Sequence, residues 1–258
     1  MLTFVGLGLW DERSVTLRGR DAIEAADRCF IEWYTSRLFG TTVEGLESFH
    51  ETSIEVRDRA GVEQDPTPIL SASEKGNVAF LVAGDPMIST THVDLRLRAF
   101  DRDIETRIVH GPTAQTAASS LTGLQNYRFG KATTLPFPGN HSEPVPQSVI
   151  DAIERNSSRD LHTLVYLDID GERQEYMTGD TAASLLEEPL GVDRLGVVVA
   201  RAGSDEPVVE AGPLSALARR DFGGPLHLLV IPGDMHPMER EALVAFGDAP
   251  DDIGAPGE

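Results

Sequence analysis

Two apolar runs of this chain end in glycine turns: LTFVGLGL closes on Gly6-Leu7-Gly8, and NVAFLVAGDP closes on Gly84-Asp85-Pro86. Glycine at the end of a strand lets the backbone come close to a ligand. In the second turn glycine permits a positive φ, Pro86 fixes the exit, and Asp85 can bond its own backbone or a ligand. A third turn of this kind, Ala202-Gly203-Ser204, follows the run RLGVVVA. Such turns suit the cradling of a small cofactor.

The first turn argues against a dinucleotide. That fold asks for G-x-G-x-x-G opening a helix, whereas Gly8 is followed by Leu9, Trp10 and Asp11 with no third glycine. The helix start expected near Ser14 to Thr16 leaves no helix N-terminus under the turn to receive a phosphate. Glu32 falls near the place of a ribose-binding carboxylate, so nicotinamide stays open as a reading. His92 reads as a first-turn helix residue after Thr90 and Thr91. His227 stands inside the apolar run PLHLLVIPG, where a lone histidine is more often a satisfied core residue than a ligand. No His, Cys and Glu spacing marks a metal site. Cys29, the only cysteine, lies in RCFIEWY and reads as a buried thiol.

These turns need a scaffold, and the hydrophobic pattern supplies one. Short β-rich runs alternate with amphipathic segments through the chain, the rhythm of an α/β fold with a largely parallel sheet. NVAFLV and RLGVVVA are nearly continuous in apolar character, as strands covered on both faces must be. KATTLPFPGNHSEPVP holds four prolines and no helical period, so it reads as a strand and a long irregular connection. After it the rhythm restarts. The expected organisation is two α/β domains, residues 1–111 and residues 112–258, the second ending in a solvated acidic tail, GDAPDDIGAPGE.

Composition narrows the setting. The 258 residues carry 42 acidic against 22 basic side chains, a formal charge of −20, and only Lys75 and Lys131 are lysines. Such a surface repels nucleic acid. At molar salt the Debye length shrinks to roughly 3 Å and the self-repulsion fades, which points to a salt-rich cytosol. No apolar run is long enough to span a bilayer or shaped as a signal peptide, so the expected location is cytoplasmic.

Taken in order, VGLGLWDERSVT, EWYTS, GDPMISTTH, LTGLQNYRFGK, LHTLVYLDI, YMT, ARAGS, RRDFGGP and PLHLLVIPG resemble the diphthine synthases. These belong to the tetrapyrrole-methylase-like superfamily of S-adenosylmethionine-dependent methyltransferases. The resemblance covers nearly the whole chain except the acidic tail. It implies a homodimer of two-domain α/β subunits with S-adenosylmethionine held between the domains. It also implies N-methylation of an amino-carboxypropyl-histidine of translation elongation factor 2 to the trimethylammonium of diphthine, in diphthamide biosynthesis. Carried over residue by residue, the cofactor contacts are Leu9, Asp85, Ile88, Thr113, Ala114, Leu167, Ala202 and His227, with no metal and no assigned catalytic residue. Ala83 stands where the family has proline, and Thr113-Ala114 where serine and a larger aliphatic residue are usual. The alternative is methylation of a cobalamin or sirohaem precursor. Against it, Gly8-Leu9-Trp10-Asp11-Glu12 occupies the place of that branch's Gly-rich loop. An aromatic face for the growing cation is expected from Trp10 or Tyr34.

A protein substrate from the same salt-rich cytosol would be acidic too, so the two surfaces repel in dilute buffer. Association with the elongation factor is expected to strengthen as KCl rises. A binding titration across a KCl series checks this, and affinity falling steadily with salt contradicts it.

Overall fold

Every residue of Leu2–Gly6 is buried, and this run is β1 of a parallel sheet in the computed structural model, which describes residues 1–139, 143–171, 173–251 and 253. It opens the first of two compact units, Met1–Thr113. Strands and helices then alternate: α1 (Leu17–Glu24), β2 (Arg28–Glu32), α2 (Val43–His50), β3 (Ile54–Arg57), α3 (Thr67–Lys75), β4 (Val78–Val82), α4 (Val93–Phe100) and β5 (Thr106–Val109). The strand order is β3-β2-β4-β1-β5, all parallel.

The continuous apolar runs have a direct cause. Successive side chains leave a strand on opposite faces. Leu2, Phe4, Phe30, Val78, Phe80 and Val82 fill one core, while Val5, Cys29, Ile31, Ala79 and Leu81 fill another. Both faces are covered, so no polar alternation survives. Cys29 is buried, as its surroundings in the sequence suggest. Threonines start two of the helices: Thr16 accepts from the Gly19 N–H and Thr42 from the Gly45 N–H, each at 3.1 Å. Helix α3 was not legible in advance. Its buried Ile69 and Leu70 are adjacent and the third buried position is Ser73, so TPILSASEK shows no apolar stripe.

The second unit, Ala114–Glu258, comprises α5 (Ala114–Thr122), β6 (Thr133–Leu135), α6 (Gln147–Ser157), β7 (Thr163–Leu167), the short pair β8 (Ile169–Asp170) and β9 (Glu175–Tyr176), α7 (Gly179–Leu190), β10 (Leu195–Ala200), β11 (Val208–Pro213), α8 (Leu214–Leu217), β12 (His227–Ile231) and α9 (Pro237–Phe246). Its main sheet runs β11-β10-β12-β7-β6. Here the expectation of a largely parallel sheet fails: β10 is antiparallel to β11 and β12, β12 is antiparallel to β7, and β6–β7 is the one parallel pair in this sheet. The connection RAGSDEP between β10 and β11 is too short for a crossover helix, so these strands must turn back on each other. Helix α8 is a single short turn, Leu214–Leu217, with Leu214 and Leu217 buried. The start of the tail is not solvated: Ala249 is buried and Ile253 packs on the core, while 254–258 lie outside the described residues.

Each unit also buries charge. In the second, the Glu239 carboxylate at the start of α9 accepts from the Gln125 N–H (2.8 Å) and the His236 N–H (2.8 Å), and lies 3.1 Å from His162 Nε2. Burial opposes its ionisation, but these bonds outweigh burial and hold it below the usual carboxylate range. In the first, Glu32 ends β2 with no exposed surface; its Oε2 accepts from the N–H groups of Tyr34 (3.2 Å) and Thr35 (3.0 Å). Its Oε1 finds no hydrogen-bond partner, and His92 Nε2, equally unpartnered, lies 3.8 Å away. Burial pushes the Glu32 carboxyl up to about 7 and the His92 imidazole down.

Glu32 therefore binds its proton more tightly in the folded than in the unfolded chain, and its ionisation opposes folding as pH rises from about 4.5 to about 7. At roughly 1.4 kcal/mol per pH unit this interval amounts to about 3 kcal/mol. Glu32→Gln, which cannot ionise, is expected to match the parent in stability near pH 4 and to exceed it by up to about 3 kcal/mol above pH 7. Denaturant unfolding of both proteins across that range in concentrated KCl checks this; a stability difference independent of pH refutes it.

Candidate functional site

Backbone meets backbone where β1, β4 and β5 end. A Cβ on Gly6 would come within 2.6 Å of the Gly111 nitrogen and of the Gly84 carbonyl oxygen, so side chains are excluded there. Gly8 (φ +77°) and Gly84 (φ +75°) then adopt the left-handed conformation that glycine tolerates. They pair as an isolated bridge, the Gly84 N–H donating to the Gly8 carbonyl at 2.7 Å and the Gly8 N–H to the Gly84 carbonyl at 3.2 Å. Three turns are thereby fixed at the carboxyl edge of the three neighbouring strands, where open α/β sheets bind ligands.

Leu9, Asp85, Ile88 and Thr113 all belong to these turns and their exits. Leu9 and Thr113 are half-buried, and the Leu9 carbonyl accepts the Ser14 hydroxyl. Ile88 holds 44% of its surface exposed, an apolar side chain free to meet a ligand. Asp85 is buried, and its oxygens are spoken for. Oδ1 accepts from the Met87 N–H at 2.9 Å; Oδ2 lies 2.7 Å from His110 Nδ1 and accepts from the Gly111 N–H at 3.3 Å. The His110 ring is largely exposed. His110 is absent from the residues picked out of the sequence, although its position just after the strand ETRIVH, like that of Gly84-Asp85 after β4, was a readable signal.

In the second unit Leu167 ends β7, Ala202 follows β10 and His227 opens β12. Antiparallel pairing puts all three at one edge of the sheet: His227 pairs with Ala200, and Leu228 with Tyr166. Leu167 faces one core of this unit, whereas Ala202 and Ala114, the latter at the start of α5, pack against the other. His227 is buried, its Nδ1 accepting from the Gly179 N–H (2.9 Å) and its Nε2 lying 3.0 Å from the Gly224 carbonyl. Those partners make Nδ1 the acceptor and Nε2 the N–H donor. Burial holds the ring's pKa below the ordinary histidine value. Both ring nitrogens are thus satisfied within the protein, and a ligand at His227 would meet its backbone or ring carbons.

Other sequence candidates are placed elsewhere. The Glu32 carboxylate is turned inward onto Tyr34 and Thr35, so it does not offer itself to a ribose. His92 precedes α4 with Nδ1 2.9 Å from the Pro86 carbonyl and its ring edge-on to Phe80, a core residue. The Trp10 indole packs where a Cβ on Gly40 would stand. Arg59 already lies 4.9 Å over the Tyr34 ring. Both residues are half-buried.

The edge of the first unit suits a phosphate-free cation better than a pyrophosphate. Beyond Gly8 the chain enters a short 3-10 turn, Glu12–Ser14, whose N-cap Asp11 accepts the Arg13 N–H at 3.0 Å. A carboxylate thus sits where a phosphate would need free N–H groups. Beside it lie a close-packed glycine backbone, the apolar Ile88 and the Asp85 carboxylate, a donor set that fits the sulfonium, amino acid and purine of S-adenosylmethionine.

The model of the family described as Tetrapyrrole (Corrin/Porphyrin) Methylases matches residues 1–218. A diphthine synthase of Haloarcula marismortui is 65% identical over 96% of this chain and 99% of its own length. That of Halorubrum lacusprofundi is 62% identical over 98% and 99%. A crystal structure of diphthine synthase superposes with a TM-score of 0.91 at 38% identity, covering 98% of each chain. With glycine turns of this form at the edge of its parallel sheet, and relatives this near across almost its full length, the chain belongs to the diphthine synthases, of archaeal type, within the tetrapyrrole methylase family.

Proposed function

We propose that this protein methylates the amino nitrogen of an amino-carboxypropyl-histidine on translation elongation factor 2, giving the trimethylammonium of diphthine on the way to diphthamide. The observation that carries this is the near-full-length identity to the haloarchaeal diphthine synthases. It is a methyltransferase of the S-adenosylmethionine-dependent kind. Methylation of a tetrapyrrole carbon is not favoured, since the relatives at this identity carry the diphthine synthase name. The chain works as a cytoplasmic homodimer in this reading. Among the described residues no helix is long and apolar enough to cross a membrane.

The cofactor-holding residues are Leu9, Asp85, Ile88 and Thr113 of the first unit and Ala114, Leu167, Ala202 and His227 of the second. Bound S-adenosylmethionine supplies a methyl group on a positively charged sulfur, so charge moves from sulfur to nitrogen and no new anion needs stabilising. The protein's task is alignment and the exclusion of water. Leu9 and Gly84 offer backbone fixed by the glycine bridge, Ile88 and Leu167 offer apolar contact, and the Asp85 carboxylate offsets the sulfonium charge. At His227 the contact is through backbone or ring carbons, because both ring nitrogens are engaged.

Calorimetric titration in concentrated KCl is expected to give saturable binding of S-adenosylmethionine and none of NAD or a corrinoid precursor. Incubation with labelled cofactor is then expected to mark elongation factor bearing the amino-carboxypropyl group and to leave the unmodified factor unlabelled, with mass spectrometry finding three methyl groups. Binding of NAD instead, or label on a corrinoid alone, defeats the reading.

A further inference from the structure

The acceptor nitrogen must reach the reaction with a free lone pair, and it must do so three times. We propose that His110 is the base that takes its protons, held for that task by Asp85; this rests on the methyltransferase reading above.

The geometry is that of a buried carboxylate orienting an exposed imidazole. Asp85 follows β4 and is buried, with Oδ1 fixed by the Met87 N–H and Oδ2 by the Gly111 N–H, so the carboxylate cannot turn away. His110 follows β5, on the far side of β1 from β4, and points Nδ1 at Oδ2 across 2.7 Å. An ionised carboxylate only accepts, so Nδ1 carries the hydrogen and Nε2 keeps its lone pair. With 75% of its side chain exposed, the ring can receive a proton from a bound amine and release it to water. Asp85 is the charged group that contacts the ring; His110's neighbours along the chain, Val109 and Gly111, carry no charge. The same turns carry Leu9, Ile88 and Thr113, so the base stands on the edge assigned to the cofactor. Elsewhere in the described chain His50, His92, His162 and His227 are buried, whereas the His110 ring is exposed.

The proton balance closes. An ammonium gives one proton to Nε2, and the freed nitrogen attacks: the N–CH3 bond forms, the S–CH3 bond breaks, and its electron pair stays on sulfur. The secondary and then tertiary ammonium each lose one further proton the same way. Three methyl groups arrive, three protons leave by way of His110 to solvent, and the quaternary product has none left to give. An α-amino-like acceptor has a pKa near 8, so a minority is already neutral at pH 7. The base therefore matters most at low pH.

His110→Ala is expected to bind S-adenosylmethionine within about twofold of the parent, since its side chain is not assigned to the cofactor, and to lose about tenfold in kcat at pH 7, the factor by which the ammonium outnumbers the neutral amine. The loss should shrink as pH rises towards 9, products should stall at one or two methyl groups, and added imidazole should restore part of the rate. Asp85→Asn tests the positioning role: NMR of the ring nitrogens is expected to show the Nδ1–H tautomer of His110 in the parent and its loss in the variant, because an asparagine amide donates where the carboxylate accepted. Turnover of His110→Ala within threefold of the parent at pH 7, a loss equal at every pH, or an Nε2–H tautomer in the parent overturns the proposal. If the parent itself leaves modified elongation factor unmethylated, the functional reading falls and takes this proposal with it; an active parent with an unaffected His110→Ala sinks the base alone.

Discussion

The contact on which the site depends is the meeting of three glycine backbones at the ends of β1, β4 and β5. Because Gly6 and Gly111 have no side chains, their backbones lie against each other and against the Gly84 carbonyl, and the first two turns are bonded together through Gly8 and Gly84. A side chain at Gly6 would demand about an ångström of backbone displacement where both neighbours are main chain, and a close-packed interior relaxes poorly. That contact brings the turn bearing Leu9, the turn bearing Asp85 and Ile88, and the exit bearing His110 and Thr113 to a single edge. The parallel sheet beneath is the rigid base, covered on both faces by two cores that take alternate residues of each strand.

Polar groups in the interior separate into two kinds. Glu239 is fully bonded, and those bonds tie the N-terminus of α9 to His162 and to the loop at Gln125. Glu32 is not: one oxygen is bonded and the other, like His92 Nε2 and the Tyr34 hydroxyl, is orphaned. An orphaned carboxyl in an apolar setting keeps its proton, so Glu32 rises in pKa where Glu239 falls. The two glutamates are equally buried by surface area and differ in their partners.

The acidic surface and the site answer different demands. Scattered carboxylates with few lysines make the protein suited to concentrated salt, where screening removes their mutual repulsion. At the sheet edge of the first unit, by contrast, Asp11 and Asp85 are each engaged by backbone N–H groups. Those bonds hold both carboxylates in place at the turns.

The sequence by itself determined the α/β class, the family and the turns that matter. Continuous apolar runs ending in glycine, such as NVAFLVAGDP, state both the strand and the loop, because backbone conformation there is set by residue type alone. It could not give strand direction in the second half, since a β-rich run reads the same whichever way its neighbours point; the short connection after β10 was the one available clue. It missed α3, whose burial is imposed by the sheet and not by a stripe of its own. Most of all, it could not find the pairing of Asp85 with His110, residues on separate turns whose contact exists only because β4 and β5 flank β1 in the sheet beneath them. A side chain's role at a site is set by what lies across from it, and that distance is decided by tertiary structure.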